Sequence, residues 1–168
     1  MNHSVVKAYL FLLIAVVVLG QGKVDAVEPP EKAFMVKPIG QIQKIDGRML
    51  IVLDKKYQEG LLGLEQWSHV QVIWWFDKND TPQKRAILRV HPRGNKSNPL
   101  TGVFACRAPV RPNLIALSLC KIVSVKDNVI EVDKIDALEG TPVLDLKPYA
   151  PGQDSASEVR VPKWAGPK

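Results

Sequence analysis

Through the middle of this chain, apolar residues recur at every second position. Val70, Val72 and Trp74, with the polar Gln71 between the first two, are the clearest case. A period of two is the signature of a strand with one buried face, because successive side chains point to opposite sides. Strand-like runs of this kind fall at residues 49–53, 69–76, 86–90, 102–106, 115–125, 129–132 and 142–146. Only residues 55–64 read as a helix, with Tyr57, Leu61 and Leu64 at helical spacing. Short strands alternating with turns predict an all-β fold, an antiparallel barrel or sandwich, with one or two short helices. Neither a Rossmann glycine fingerprint nor a P-loop interrupts the pattern, and no internal repeat does.

The two ends differ from this middle. Lys7 is followed by an unbroken apolar run over residues 8–19 and then by Val24-Asp25-Ala26, a small-residue pattern suited to signal peptidase. This reads as a signal peptide over residues 1–26, cleaved after Ala26, and predicts an exported protein, periplasmic or secreted. The run is well short of the roughly 20 residues that span a bilayer, so no stable membrane anchor is expected. If residues 8–19 are instead a buried helix and not a leader, the chain is expected to be cytoplasmic. Residues 27–36, with Pro29 and Pro30, read as a linker, residues 37–164 as one domain and residues 165–168 as a tail. That domain is long enough to bury a core without disulfide staples. Cys106 and Cys120 fall on runs expected to be neighbouring strands and would pair only if their Cα atoms came within about 7 Å. The cysteines and histidines form no metal-ligand cluster, so a metal is not implied.

Charge changes the picture at one place. Arg89, Arg93, Lys96, Arg107 and Arg111, with His91, are separated only by neutral residues, while Pro92, Pro99, Pro109 and Pro112 stiffen the backbone that carries them. The whole chain has a formal net charge of +6, and this segment concentrates the excess. A stiff cationic loop favours an anionic partner. No Ser-His-Asp or Cys-His arrangement is evident, which speaks against a hydrolase. A structural hydrogen bond is the expected role of His69, at the start of an apolar strand. Strand parity puts Trp74 in the core and leaves Trp75 open.

Several of these segments carry more specific information. HPRG, NPLTGVFA, the arginine that follows, RPN and LSL appear in that order between Arg89 and Leu119. KPIG lies upstream, with LDKKYQEGLLGLEQWSHVQVIWWF after it, and IDALEGTPVLDLKPYAPGQDS lies downstream. In this order and spacing the chain resembles the TsaA-like family, methyltransferases that use S-adenosylmethionine to methylate N6 of threonylcarbamoyladenosine in tRNA. The resemblance implies a single closed sheet, a homodimer, S-adenosylmethionine as cofactor, and tRNA or another anionic acceptor as partner. It implies cofactor contacts at Asp77, Lys78, Arg107, Leu117, Lys134, Ile135 and Asp136. Arg107 suits a bidentate grip on a carboxylate, although a phosphate contact would use the same chemistry, and Asp136 suits the cofactor's amino group or sulfonium. Leu117 is an apolar wall whether it packs in the core or lines the site. Arg93, Arg111, Asn113, Lys147 and Tyr149 are implied on the RNA side, Tyr149 as a stacking partner for a base. The chain departs from the family pattern with Asp77 in place of His, Cys106-Arg107-Ala108 in place of Thr-Arg-Ser, and Asn113-Leu114-Ile115-Ala116 in place of Asn-Pro-Ile-Gly. Those departures, together with export, also suit an exported, non-catalytic module that binds an anionic ligand.

Overall fold

A computed structural model describes residues 33–166; the leader and most of the linker expected from the sequence lie outside the described residues. Among the described residues eight strands follow in order: β1 (Gly40–Ile45), β2 (Arg48–Leu53), β3 (His69–Trp75), β4 (Arg89–Val90), β5 (Thr101–Gly102), β6 (Ile115–Lys126), β7 (Val129–Val132) and β8 (Pro142–Pro148). Six close into a barrel in the order β1-β2-β7-β6-β3-β8, and every pairing is antiparallel. β4 and β5 make a separate two-stranded ribbon. Two one-turn helices, α1 (Pro82–Arg85) and α2 (Pro151–Asp154), complete the regular structure with several 3-10 turns. The expected all-β barrel is the fold observed. Among the described residues, no helix is long and apolar enough to cross a membrane.

Two of the hairpins are legible in their turns. Asp46 and Gly47 both adopt positive φ, 51° and 77°, which matches the right-handed twist of the strands they join, β1 and β2. Asp127, also at positive φ, opens the two-residue turn between β6 and β7. Alternation then fills the barrel: Val70, Val72 and Trp74 of β3, Ala116 and Cys120 of β6, and Ile130 and Val132 of β7 point inward and are buried. Ile42, Ile51 and Val143 close the core from the other strands, and Ile135 and Ala137 enter it from the strap after β7.

Four expectations are corrected. Residues 55–64 form two 3-10 turns, Lys55–Leu61 and Leu64–Gln66, rather than one helix, because Gly63 takes a left-handed conformation between them. The apolar spacing still serves its purpose, with Leu61 buried and Tyr57 and Leu64 packed against the core. Residues 86–88 are not strand: Thr81 caps α1, its Oγ1 accepting from the Lys84 N–H, and the helix closes on Ala86. Residues 103–105 form a 3-10 turn rather than strand, and Cys106 ends it; Cys106 and Cys120 thus do not sit on paired strands, and both are free thiols. β1, absent from the expected set, is organised by pairing with β2, since Ile42 is its only buried residue.

The rim that matters for function gathers at the C-terminal end of β3. There the β3–β8 register shifts between Ile73 and Trp74, a bulge that re-aims the strand end. The start of β6 lies alongside, Trp74 opposite Ala116 and Trp75 opposite Ile115.

Candidate active site

Two adjoining cavities open beside this strand end. The larger, about 550 Å³, is lined by Trp74, Phe76, Arg107, Arg111, residues 115–119 of β6, and Lys134, Ile135 and Asp136 from the strap after β7. The smaller, about 310 Å³, shares Trp74, Phe76, Arg107 and Asp136 with it and adds Asp77, Lys78 and Thr141 among others. All seven residues expected at a cofactor site line one or both cavities, although up to 59 positions separate them in sequence. Long-range pairing brings them together: β3 delivers residues 76–78, β6 delivers Leu117, and the β7–β8 strap delivers residues 134–136.

The site is furnished as a mixed surface. Trp74 and Phe76 meet edge to face with ring centroids 4.7 Å apart and form an aromatic floor. Leu117 and Ile115 point outward from β6 and remain partly exposed, 43% and 44%, as an apolar flank. The Trp74 indole Nε1–H donates to Ser118 Oγ at 3.0 Å, and the Ser118 hydroxyl donates to Asp136 Oδ1 at 3.1 Å. A buried aromatic ring thereby orients an exposed carboxylate through one hydroxyl. Opposite in charge, Arg107 donates from Nη1 to the Leu117 carbonyl at 3.2 Å, which fixes its guanidinium on the same rim. Lys78 Nζ pairs with Asp77 Oδ2 at 2.9 Å in the 3-10 turn after β3.

Supporting contacts hold the loops in place. Arg85 of α1 donates to Asp80 at 2.8 Å and to the Pro112 carbonyl at 2.8 Å, while Trp75 Nε1–H donates to the other Asp80 oxygen at 3.1 Å. Arg85 also lies over the Trp75 ring, 5.2 Å from its centroid. The hydrogen bonds from Arg85 and Trp75 hold the Asp80 carboxyl below its ordinary pKa. This clamp gives Trp75 a role outside the core and anchors the RPN loop beside the cavity. Burial pushes the nearby Cys120 thiol up to about 12, so it stays protonated at neutral pH.

The residues expected on the RNA side do not share one place. Arg111 lines the larger cavity and donates to the Val103 carbonyl, and Asn113 is exposed in the turn before β6. Arg93 lines a third cavity, beyond Arg107. Lys147, paired with Asp145 at 3.1 Å, and Tyr149, edge-on to His69 with ring centroids 6.3 Å apart, sit where β8 meets the start of β3. That position is about 16 Å along β3 from Trp74, at roughly 3.3 Å per residue. His69 itself makes a 2.9 Å hydrogen bond with Ser68. Sequence reasoning passed over Ser118, whose signal was its inward parity between Ala116 and Cys120. The altered rim position Ala116 lies inside β6, is buried and has no positive φ, so it carries no backbone strain.

Comparison with known proteins places this architecture. The family model for the tRNA-methyltransferase O N-terminal domain matches residues 32–155. The chain belongs to this family. A relative from Methanocaldococcus jannaschii named "Probable S-adenosyl-L-methionine-binding protein" is 43% identical over 117 residues, 70% of this chain and 93% of the relative. The human tRNA (adenine(37)-N6)-methyltransferase is 43% identical over 105 residues, but the match covers only 23% of that enzyme. Among solved structures, the tRNA-methyltransferase O of Pseudomonas aeruginosa, TrmO, superposes with a TM-score of 0.60 at 29% identity. That superposition covers 77% of this chain and 62% of the bacterial one, so the chain spans less than two thirds of the solved enzyme.

Proposed function

We propose that this protein binds S-adenosylmethionine in the paired cavities and transfers its methyl group to N6 of an adenine in tRNA, the threonylcarbamoylated adenosine being the preferred acceptor. The observation that carries the reading is the placement of Arg107 and Asp136 on one rim, opposite charges above an aromatic floor. That donor set fits an amphiphilic zwitterion: a cation for its carboxylate, a carboxylate for its amino group or sulfonium, and flat apolar walls for its adenine. When bound, S-adenosylmethionine supplies an electrophilic methyl on sulfur.

The chain's own share of the work is positioning. Methyl transfer is an in-line displacement, so holding two reactants in line supplies a large part of the acceleration without a protein nucleophile. Ser118 holds Asp136 in register, the Leu117 carbonyl holds Arg107, and Trp74 and Phe76 deny water one face of the cavity. Relatives named for S-adenosylmethionine binding and for tRNA methylation support the same assignment. A homodimer belongs to the reading as well: Ile115, Leu117 and Leu119 form an exposed apolar row on β6 at the open side of the larger cavity, suited to burial against a second copy.

Calorimetric titration with S-adenosylmethionine tests the assignment. Wild type is expected to bind, and Arg107→Ala to bind about 10- to 100-fold more weakly, as loss of a charge-assisted pair implies. Equal affinity in the two would move the site elsewhere. A second reading, an exported binding module without catalysis, is favoured by the apolar run over residues 8–19. It predicts a folded protein with no affinity for the cofactor and a mature N-terminus at Val27, readable by mass spectrometry of exported material.

A further inference from the structure

The largest cavity in this region adjoins the cofactor site, from which it borrows only Arg107 and Pro109. It encloses about 760 Å³, and its lining includes His91, Arg93, Cys106, Arg107, Pro109 and Trp164. No carboxylate is among the residues that line it, whereas two guanidinium groups and an imidazole are. Its separation from the cofactor cavities is thin, because Arg107 and Pro109 also line the smaller of them. A molecule in this space would sit one side-chain layer from the methyl donor.

Two features mark the space as built for a ligand. Arg93 is a non-glycine residue in the left-handed region, with φ 60° and ψ 19°, a conformation that costs on the order of 1 kcal/mol. The surrounding loop over-determines it: the Gly94 N–H donates to the His91 carbonyl at 3.0 Å, Asn98 Nδ2 donates to the Pro92 carbonyl at 2.8 Å, and the Asn98 carbonyl accepts from His91 Nδ1 at 2.7 Å. A carbonyl only accepts, so Nδ1 carries a proton. The second feature is Trp164. A 3-10 turn, Lys163–Ala165, near the end of the described chain, places this half-buried indole on the cavity wall together with Ala165, more than 50 positions in sequence from the other lining residues, 90–110.

We propose that this cavity is the acceptor subsite, taking one purine nucleotide unstacked from RNA, with its base against Trp164 and its anionic group on Arg93. An indole face and a guanidinium are the pair of groups that proteins use for single-stranded nucleotides, stacking for the base and a charge for the phosphate. The shared Arg107 wall makes this space the neighbour of the cofactor cavities. This placement rests on the methyltransferase reading for its purpose, although the binding itself can be measured without it.

The test is titration of the full chain with AMP and with adenosine, each with and without saturating S-adenosylhomocysteine. The expected result is AMP binding at least 10-fold tighter than adenosine and undiminished by S-adenosylhomocysteine. Arg93→Ala should erase the preference for AMP, Trp164→Ala should weaken both ligands at least 10-fold, and Trp164→Phe should retain most of the affinity. Neither Arg93→Ala nor Trp164→Ala should alter S-adenosylhomocysteine affinity. Displacement of AMP by S-adenosylhomocysteine would put the nucleotide in the cofactor cavity and overturn the proposal, as would AMP binding that both variants leave unchanged. Failure of S-adenosylhomocysteine itself to bind would count against the methyltransferase reading alone, with the AMP titration still deciding the subsite.

Discussion

Replacing Ser118 by Ala removes one hydroxyl that joins the core to the cavity, and the structure lets its two effects be separated. On the core side, Trp74 is only 5% exposed and its Nε1–H donates to Ser118 Oγ at 3.0 Å. Without that acceptor a buried donor is orphaned, which costs about 1–3 kcal/mol. On the cavity side, Asp136 is exposed, so water replaces the lost bond and stability hardly changes there. The sum is a loss of about 1–3 kcal/mol, or a Tm lowered by roughly 4–10 °C for a domain of this size. Untethering Asp136 should also weaken S-adenosylmethionine by about 3- to 10-fold, the worth of one orienting hydrogen bond. The assay is a thermal and urea denaturation cycle of wild type, Ser118→Ala, Trp74→Phe and the double variant. Because Phe has no donor to orphan, the double variant should be more stable than the two single losses predict by about 1 kcal/mol. A Ser118→Ala protein with unchanged Tm, or a cycle that is strictly additive, would refute the relay from Trp74 to Asp136.

Gly40→Ala would place a methyl 2.6 Å from the Leu53 Cα, its partner in β2, and should cost about 2–4 kcal/mol in urea denaturation. Hydrogen bonds from Arg48 at 3.0 and 2.7 Å hold the Glu131 carboxyl below its ordinary pKa, as Arg85 does for Asp80. A carboxyl with a depressed folded pKa contributes stability that is fully present above its unfolded value, about pH 4, and is lost as pH falls through the folded one. The urea midpoint should therefore drop below about pH 4, and Glu131→Gln should flatten part of that fall; an identical acid limb in the variant would remove the pair from the account. Iodoacetamide at neutral pH should label half-buried Cys106 and spare Cys120, whose thiol is buried and pushed up to about 12; two labels per native chain by mass spectrometry would contradict this.

Much of the fold was legible along the chain because strands announce themselves locally. Period-two apolar positions gave β2, β3, β6, β7 and β8 to within a few residues, and Asp46-Gly47 is a turn that only two φ-positive residues make easily. The stiff cationic loop was equally local, a matter of prolines and missing acids. Where the reading failed, a neighbour in space outweighed a propensity in sequence. β1 buries a single side chain and exists because β2 pairs with it at six positions. Residues 86–88 lost their strand to the Thr81 cap, and residues 55–64 lost their helix to Gly63.

The candidate site divides along the same line. The sequence alone determined which chemical groups the protein owns: an arginine after a turn, an aspartate before EGTP, a row of leucines, an excess of cations without acids among them. Only closure of the barrel decided that Asp77, Arg107, Leu117 and Asp136 face one space, that Ser118 rather than a neighbour couples Trp74 to Asp136, and that Trp164 returns to the wall beside Arg93. The reason is physical: strand formation answers to residues two apart, whereas a cavity is made by register between strands that the chain itself separates by dozens of residues.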